Sequence, residues 1–171
     1  HQDFLTLIKL KLILILQIIM KINQGILFGD IIWDKEDLKV DGNTYFTYDE
    51  AVKLASERGK RLPTADEARS ISLNPKCVVY KNFRKDNSEG DATKVLISLS
   101  HNKEISFNFN GYISPFNNKV YQKFVYCIYW HECSIDDRYK LNIFFYNKKG
   151  RFGRDEFNAL TKCSVRLVKD I

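Results

Sequence analysis

The sequence predicts an α+β domain in which two short helices are followed by antiparallel strands. Three observations carry that reading. Thr47 with Glu50, and Thr64 with Glu67, form two Thr-x-x-Glu boxes, each opening a stretch of helical spacing. Beyond Pro75 the chain turns to short apolar or alternating stretches separated by charged loops. The 171 residues are 44 % apolar and 13 % aromatic, enough side-chain volume for one packed domain.

The first nineteen residues have a different composition, with no Gly, Ala, Ser or Pro and an excess of Leu, Ile and Lys. Lys9 and Lys11 precede an apolar run over 12–20, as in an export signal, but no small-residue cleavage site follows. Lys9, Lys11, Gln17 and Lys21 also interrupt the length that a membrane span needs, so no integral span is expected. Residues 1–25 are therefore expected to be a tail, and 26–171 the domain. The tail reads either as translated AT-rich sequence ahead of a start at Met20 or as an export signal or lipid-proximal anchor. A first strand is the remaining alternative. A signal would place the protein in the bacterial envelope or outside the cell, and a start at Met20 in the cytoplasm or a virion.

Within the domain, 26–33 is β-prone and broken by Gly29 and Asp30, and Asp41, Gly42 and Asn43 signal a turn before a short strand at 44–46. The first capping box starts a helix over 48–58 that turns Ala51, Val52, Leu54 and Ala55 inward and closes at Gly59. The second starts a helix carrying Ala68, Ile71 and Leu73, stopped by Asn74–Pro75. Strands are expected at 77–80, 94–100, 104–110, 124–130, 141–146 and 163–169. In 104–110, Ile105, Phe107 and Phe109 alternate with polar residues, which marks one buried face. The charged stretches 81–91, 136–140 and 147–156 read as loops.

Lys and Arg number 27 against 21 Asp and Glu, a net charge of +6. Acidic residues flank the basic runs 81–85 and 148–154, so these read as solvated loops and no nucleic-acid partner is expected. Cys77, Cys127, Cys133 and Cys163 include no C-x-x-C pair, which argues against zinc ribbons and thioredoxin-like sites. In an oxidising compartment they allow three pairings; in a reducing one Cys127 and Cys163 would behave as small buried hydrophobes.

The stretch Gly59–Lys60–Arg61–Leu62–Pro63–Thr64–Ala65–Asp66–Glu67 resembles the formylglycine-generating (sulfatase-modifying) enzyme superfamily. It is more similar still to the non-catalytic Fibrobacter succinogenes major paralogous domain family. Tyr45–Phe46–Thr47–Tyr48–Asp49–Glu50–Ala51 precedes it, and Gly111–Tyr112, Tyr129–Trp130 and the 163–170 segment CSVRLVKD follow in the family's order. Ala68 stands where the family commonly has Trp, and His131–Glu132–Cys133 replaces a serine-rich continuation. The resemblance implies a C-type-lectin-like, sulfatase-modifying-factor-like fold over about residues 33–170. The motif residues Arg61, Leu62, Pro63, Thr64 and Glu67 read as structural: Leu62–Pro63 carries the chain between the helices in extended form, and Arg61 is placed to pair with a carboxylate or strand carbonyls. Tyr129 and Trp130 supply core volume.

Catalytic members of the superfamily hold copper on a closely spaced cysteine pair near the C-terminus, a spacing that Cys127, Cys133 and Cys163 do not reproduce. His131, Glu132, Cys133, Asp136 and Asp137 are metal-donor types, but neighbours on a strand point to opposite faces. No catalytic residue, metal or cofactor is therefore expected. The expected function is a non-enzymatic binding or structural module, bacterial-surface or phage-associated, that presents loops to a glycan or protein ligand. Its surface is assigned to Tyr129, Trp130, His131, Glu132, Asp136, Asp137, Arg138 and Tyr139, where aromatic and charged side chains mix. The alternative is a copper oxidase of the formylglycine-generating type acting on protein substrates.

Overall fold

Both threonine boxes cap helices in the computed structural model, which describes residues 2–22, 25–72, 77–83, 89–99, 103–132, 141–147, 149 and 151–171. Helix α1 spans Gln2–Ile22, α2 Tyr48–Glu57 and α3 Ala65–Ser72. At the start of α2 the Thr47 hydroxyl accepts from the Glu50 amide while the Glu50 carboxylate accepts from the Thr47 amide. Thr64 and Glu67 repeat that exchange at 3.2 and 2.8 Å at the start of α3. Ala51 and Ala55 of α2 and Ala68 and Ile71 of α3 face inward. Val52, expected inside, is 43 % exposed because it lies one residue round the helix from the buried alanines. Leu73 lies outside the described residues.

The N-terminal stretch is helical and not a first strand. From Leu7 to Leu16 its large apolar side chains are 39 to 59 % exposed. No helix among the described residues is long and apolar enough to cross a membrane.

The strands are β1 Ile26–Phe28, β2 Ile31–Trp33, β3 Cys77–Phe83, β4 Glu89–Ser98, β5 Glu104–Asn108, β6 Tyr112–Ile113, β7 Val120–Tyr121, β8 Cys127–Trp130, β9 Leu141–Tyr146, β10 Phe152–Phe157, β11 Lys162–Cys163 and β12 Val168–Asp170. They form small antiparallel sheets in the orders β1-β2-β12, β10-β9-β8, β11-β6-β7 and β3-β4-β5. Gly29, at φ 63°, and Asp30 make the β1–β2 turn. Four expectations need correction. The expected strand at 163–169 is split into the short β11 and β12. The 147–156 stretch is not all loop: β10 pairs along its length with β9, and its charged residues 154–156 stay exposed because β10 is an edge strand. The expected loop 81–91 is trimmed from both ends, because β3 and β4 pair out to Phe83 and Glu89. The expected strand at 44–46 is reduced to a bridge from Phe46 to Cys163. The 136–140 loop lies outside the described residues.

The interior divides into two apolar clusters with β8 running between them. Cys127 and Tyr129 point into one, with Trp33, Phe107, Phe144 and Tyr146. Ile128 and Trp130 point into the other, with Phe46, Leu62, Cys163, Val165 and Leu167. Strand alternation thus serves two cores at once, and all four β8 residues are buried.

Candidate recognition surface

Tyr129, Trp130 and His131, expected on a ligand-binding surface, lie buried in the structure. Tyr129 and Trp130 are fully buried. The Trp130 indole donates to the Phe46 carbonyl at 2.7 Å, with Tyr48 edge-on at 5.8 Å. Tyr129 stacks on Phe144 and its hydroxyl donates to Asp37 at 2.9 Å. His131 is 3 % exposed; its Nδ1 stands 2.7 Å from the Glu132 carbonyl, which can only accept, so that nitrogen carries the proton. Burial pushes the imidazole below its ordinary pKa. Of the surface expected from sequence, Glu132 is exposed, while Asp136, Asp137, Arg138 and Tyr139 lie outside the described residues.

The motif residues form a clamp. Arg61 presents its fork to Glu67, with Nη2 donating to Oε1 at 2.7 Å and Nη1 to Oε2 at 2.9 Å. It also donates to both oxygens of Asp170 at 2.7 and 3.2 Å. Its backbone exchanges two hydrogen bonds with Val168, so one residue joins α3 to the closing strand β12. Leu62 and Pro63 are buried, and the Pro63 carbonyl accepts the Glu132 amide. Burial alone would raise the Glu67 carboxyl, but hydrogen bonds from Arg61 and Thr64 bring it below its ordinary range.

A second polar centre was missed by the sequence reading. Arg166 is fully buried and donates from Nε and Nη2 to Asp37, from Nη1 to the Asp34 and Lys35 carbonyls, and from Nη2 to the Ser106 carbonyl. Its guanidinium carbon lies 4.9 Å above the Phe107 ring. Asp37 also accepts from Asn108, Asn110 and Tyr129. The available signal was a lone arginine inside the apolar run 163–168, because a charge on a buried strand needs a partner. With every hydrogen-bonding position occupied, this centre is suited to holding the fold rather than to taking a ligand.

A prominent exposed surface among the described residues is the β6–β7 hairpin. Tyr112 pairs with Tyr121 across the strands, and their rings stack at 5.7 Å. All the residues from 115 to 123 are exposed, and Phe116 on the turn is 89 % exposed. Asn118, Gln122 and Phe124 adopt positive φ of 55°, 54° and 66°, conformations that are held only when the surroundings over-determine them. The surroundings here do so. The Phe124 amide donates to the Phe109 carbonyl, and Gly111 donates to the Tyr126 carbonyl. A Cβ on Gly111 would stand 1.9 Å from the Tyr121 carbonyl oxygen. In the turn itself, Asn117 accepts from the Lys119 amide and donates to the Tyr121 hydroxyl at 2.7 Å. The base is thus pinned to the core while the tip stands in solvent.

Elsewhere, the β1–β2 turn and α3 enclose an open cleft of about 510 Å3 lined by Phe28, Gly29, Asp30, Ile31, Glu67 and Ser70. Among the described residues no three His, Cys, Asp or Glu side chains converge as a metal site would require. Cys127 and Cys163 are free thiols in different core clusters, each pushed well above the ordinary thiol pKa by burial. Comparison of the chain with protein-family models, with curated proteins and with solved structures finds no match. The class that the structure defines is an α+β protein with small antiparallel sheets around a double core, with an exposed, pinned β6–β7 hairpin.

Proposed function

We propose that this chain is a non-enzymatic binding or structural module of C-type-lectin-like fold, allied to the Fibrobacter succinogenes major paralogous domain family, and bacterial-surface or phage-associated. Its contact surface is the β6–β7 hairpin, and its ligand is a glycan or a protein. The observation that carries this reading is the combination of a bare Phe116 with a strained, anchored base. A rigid aromatic tip loses little conformational freedom on binding, which favours affinity. The copper-oxidase alternative needs convergent thiolates. Cys127 and Cys163 offer thiols that burial keeps protonated.

The test is binding of the labelled chain to glycan arrays and to whole bacterial cells, with Phe116→Ala measured alongside. Attachment that weakens in the variant supports the reading. No attachment to any surface, together with one tightly held copper per purified chain, overturns it.

A further inference from the structure

The hairpin and the cleft are complementary. The tip offers a convex apolar knob, Phe116, with Lys119 and Lys123 beside it on the same exposed stretch. Among the described residues neither lysine forms an ion pair, though the Lys123 ammonium lies over the Phe124 ring at 5.0 Å. The cleft offers the converse, an apolar lining from the half-buried Phe28 and the buried Ile31, with the exposed Asp30 beside them. The Asp30 carboxylate makes no hydrogen bond or ion pair among the described residues, whereas Glu67 is already held by Arg61. A cavity of about 150 Å3 suffices for a benzene ring, so about 510 Å3 admits the Phe116 ring with room for its neighbours. None of the tip residues lines the cleft of its own chain.

We propose that the occupant of this cleft is a second copy of the chain, which seats Phe116 on Phe28 and Ile31 and brings Lys119 or Lys123 to Asp30. This inference rests on the hairpin being the contact surface and names its partner. One pairing takes the bare Phe116 ring out of water onto the partly buried Phe28, and it matches charge as well as shape. Knob and cleft are different patches, so the contact is head-to-tail: each copy gives one knob and one cleft, and the product is a ring or an open chain. A single knob buries little area, so the association is weak and concentration-dependent.

Sedimentation velocity of the full chain over a range of concentrations tests the proposal. The weight-average mass should climb with concentration and fall back in high salt, which screens the Lys–Asp contact. Phe116→Ala should weaken self-association about thirtyfold, the loss of one anchoring aromatic. The double reversal Lys119→Glu/Lys123→Glu and the single reversal Asp30→Lys should each abolish it, and mixing these two variants should restore a mixed assembly. The Asp30→Lys arm keeps the test open if a hairpin variant folds poorly. A chain that stays monomeric throughout, an association that survives Phe116→Ala, or reversed variants that fail to complement overturns the proposal. The wider reading fails differently: a monomeric chain that still attaches to cells or glycans through Phe116 sinks self-association alone.

Discussion

Arg166 and Asp37, 129 residues apart, form an ion pair in the interior, with Arg166 fully buried. Burial works against the guanidinium's charge, and Asp37 more than restores it. Asp37→Ala would leave that charge uncompensated inside the protein, together with unpaired Tyr129 and Asn108 groups. We expect a loss of about 3–5 kcal/mol, read as a lower midpoint in urea unfolding. Replacing both residues by apolar ones of similar volume should cost less than the single change.

Gly111 is the most constrained position of the hairpin base, at φ 65°. Gly111→Ala should cost about 1–3 kcal/mol in backbone strain, with a further loss from the clash against the Tyr121 carbonyl. Thermal unfolding gives the first quantity. Loss of the Tyr112–Tyr121 stack, followed by aromatic NMR, reports whether the hairpin has shifted. Phe116→Ala, by contrast, should leave the midpoint unchanged to within about 0.5 kcal/mol, as expected for an exposed side chain.

Stability should fall on acidification in two stages. His131 is held below its ordinary pKa by burial, so the unfolded chain binds a proton that the folded one refuses. Its contribution is present above the ordinary histidine pKa and is lost as pH falls from there through the lower folded value. Asp170, held down chiefly by its hydrogen bonds to Arg61, and Glu67 give a second loss below the ordinary carboxylate range. Unfolding measured from pH 8 to pH 3 should show both steps. Glu67→Gln should diminish the second and leave the first.

Cys127 and Cys163 should resist thiol reagents in the native chain, since the reactive thiolate is suppressed and both sulfurs are buried. Mass-spectrometric mapping after brief alkylation should find both unmodified, and labelled only when denaturant is added. Rapid native labelling of either residue would contradict the packing described.

What the sequence made legible follows from how local each signal is. Thr47 with Glu50 and Thr64 with Glu67 act over three residues, so both helices could be placed directly. The 104–108 strand announced itself by alternation. Residues 127–130 misled because aromatic and apolar residues on both strand faces do not say whether one side is open, and here two cores close it. β10 was hidden because an edge strand exposed to solvent carries the same charged residues as a loop. The role proposed for the hairpin depends on Phe116 being left bare, which only the three-dimensional path of the chain decides.

The placement of Arg166 and β12 also bears on how the chain is made. Arg61, Asp37 and β2 all find partners among residues 166–170, which a ribosome adds more than a hundred residues later. Until those residues leave the exit tunnel, the first-made half holds an unanswered Asp37 and an unpaired strand edge. Native closure therefore waits for residues 166–170 to emerge, and chains stalled short of Arg166 are the ones a cell's quality control would have to clear.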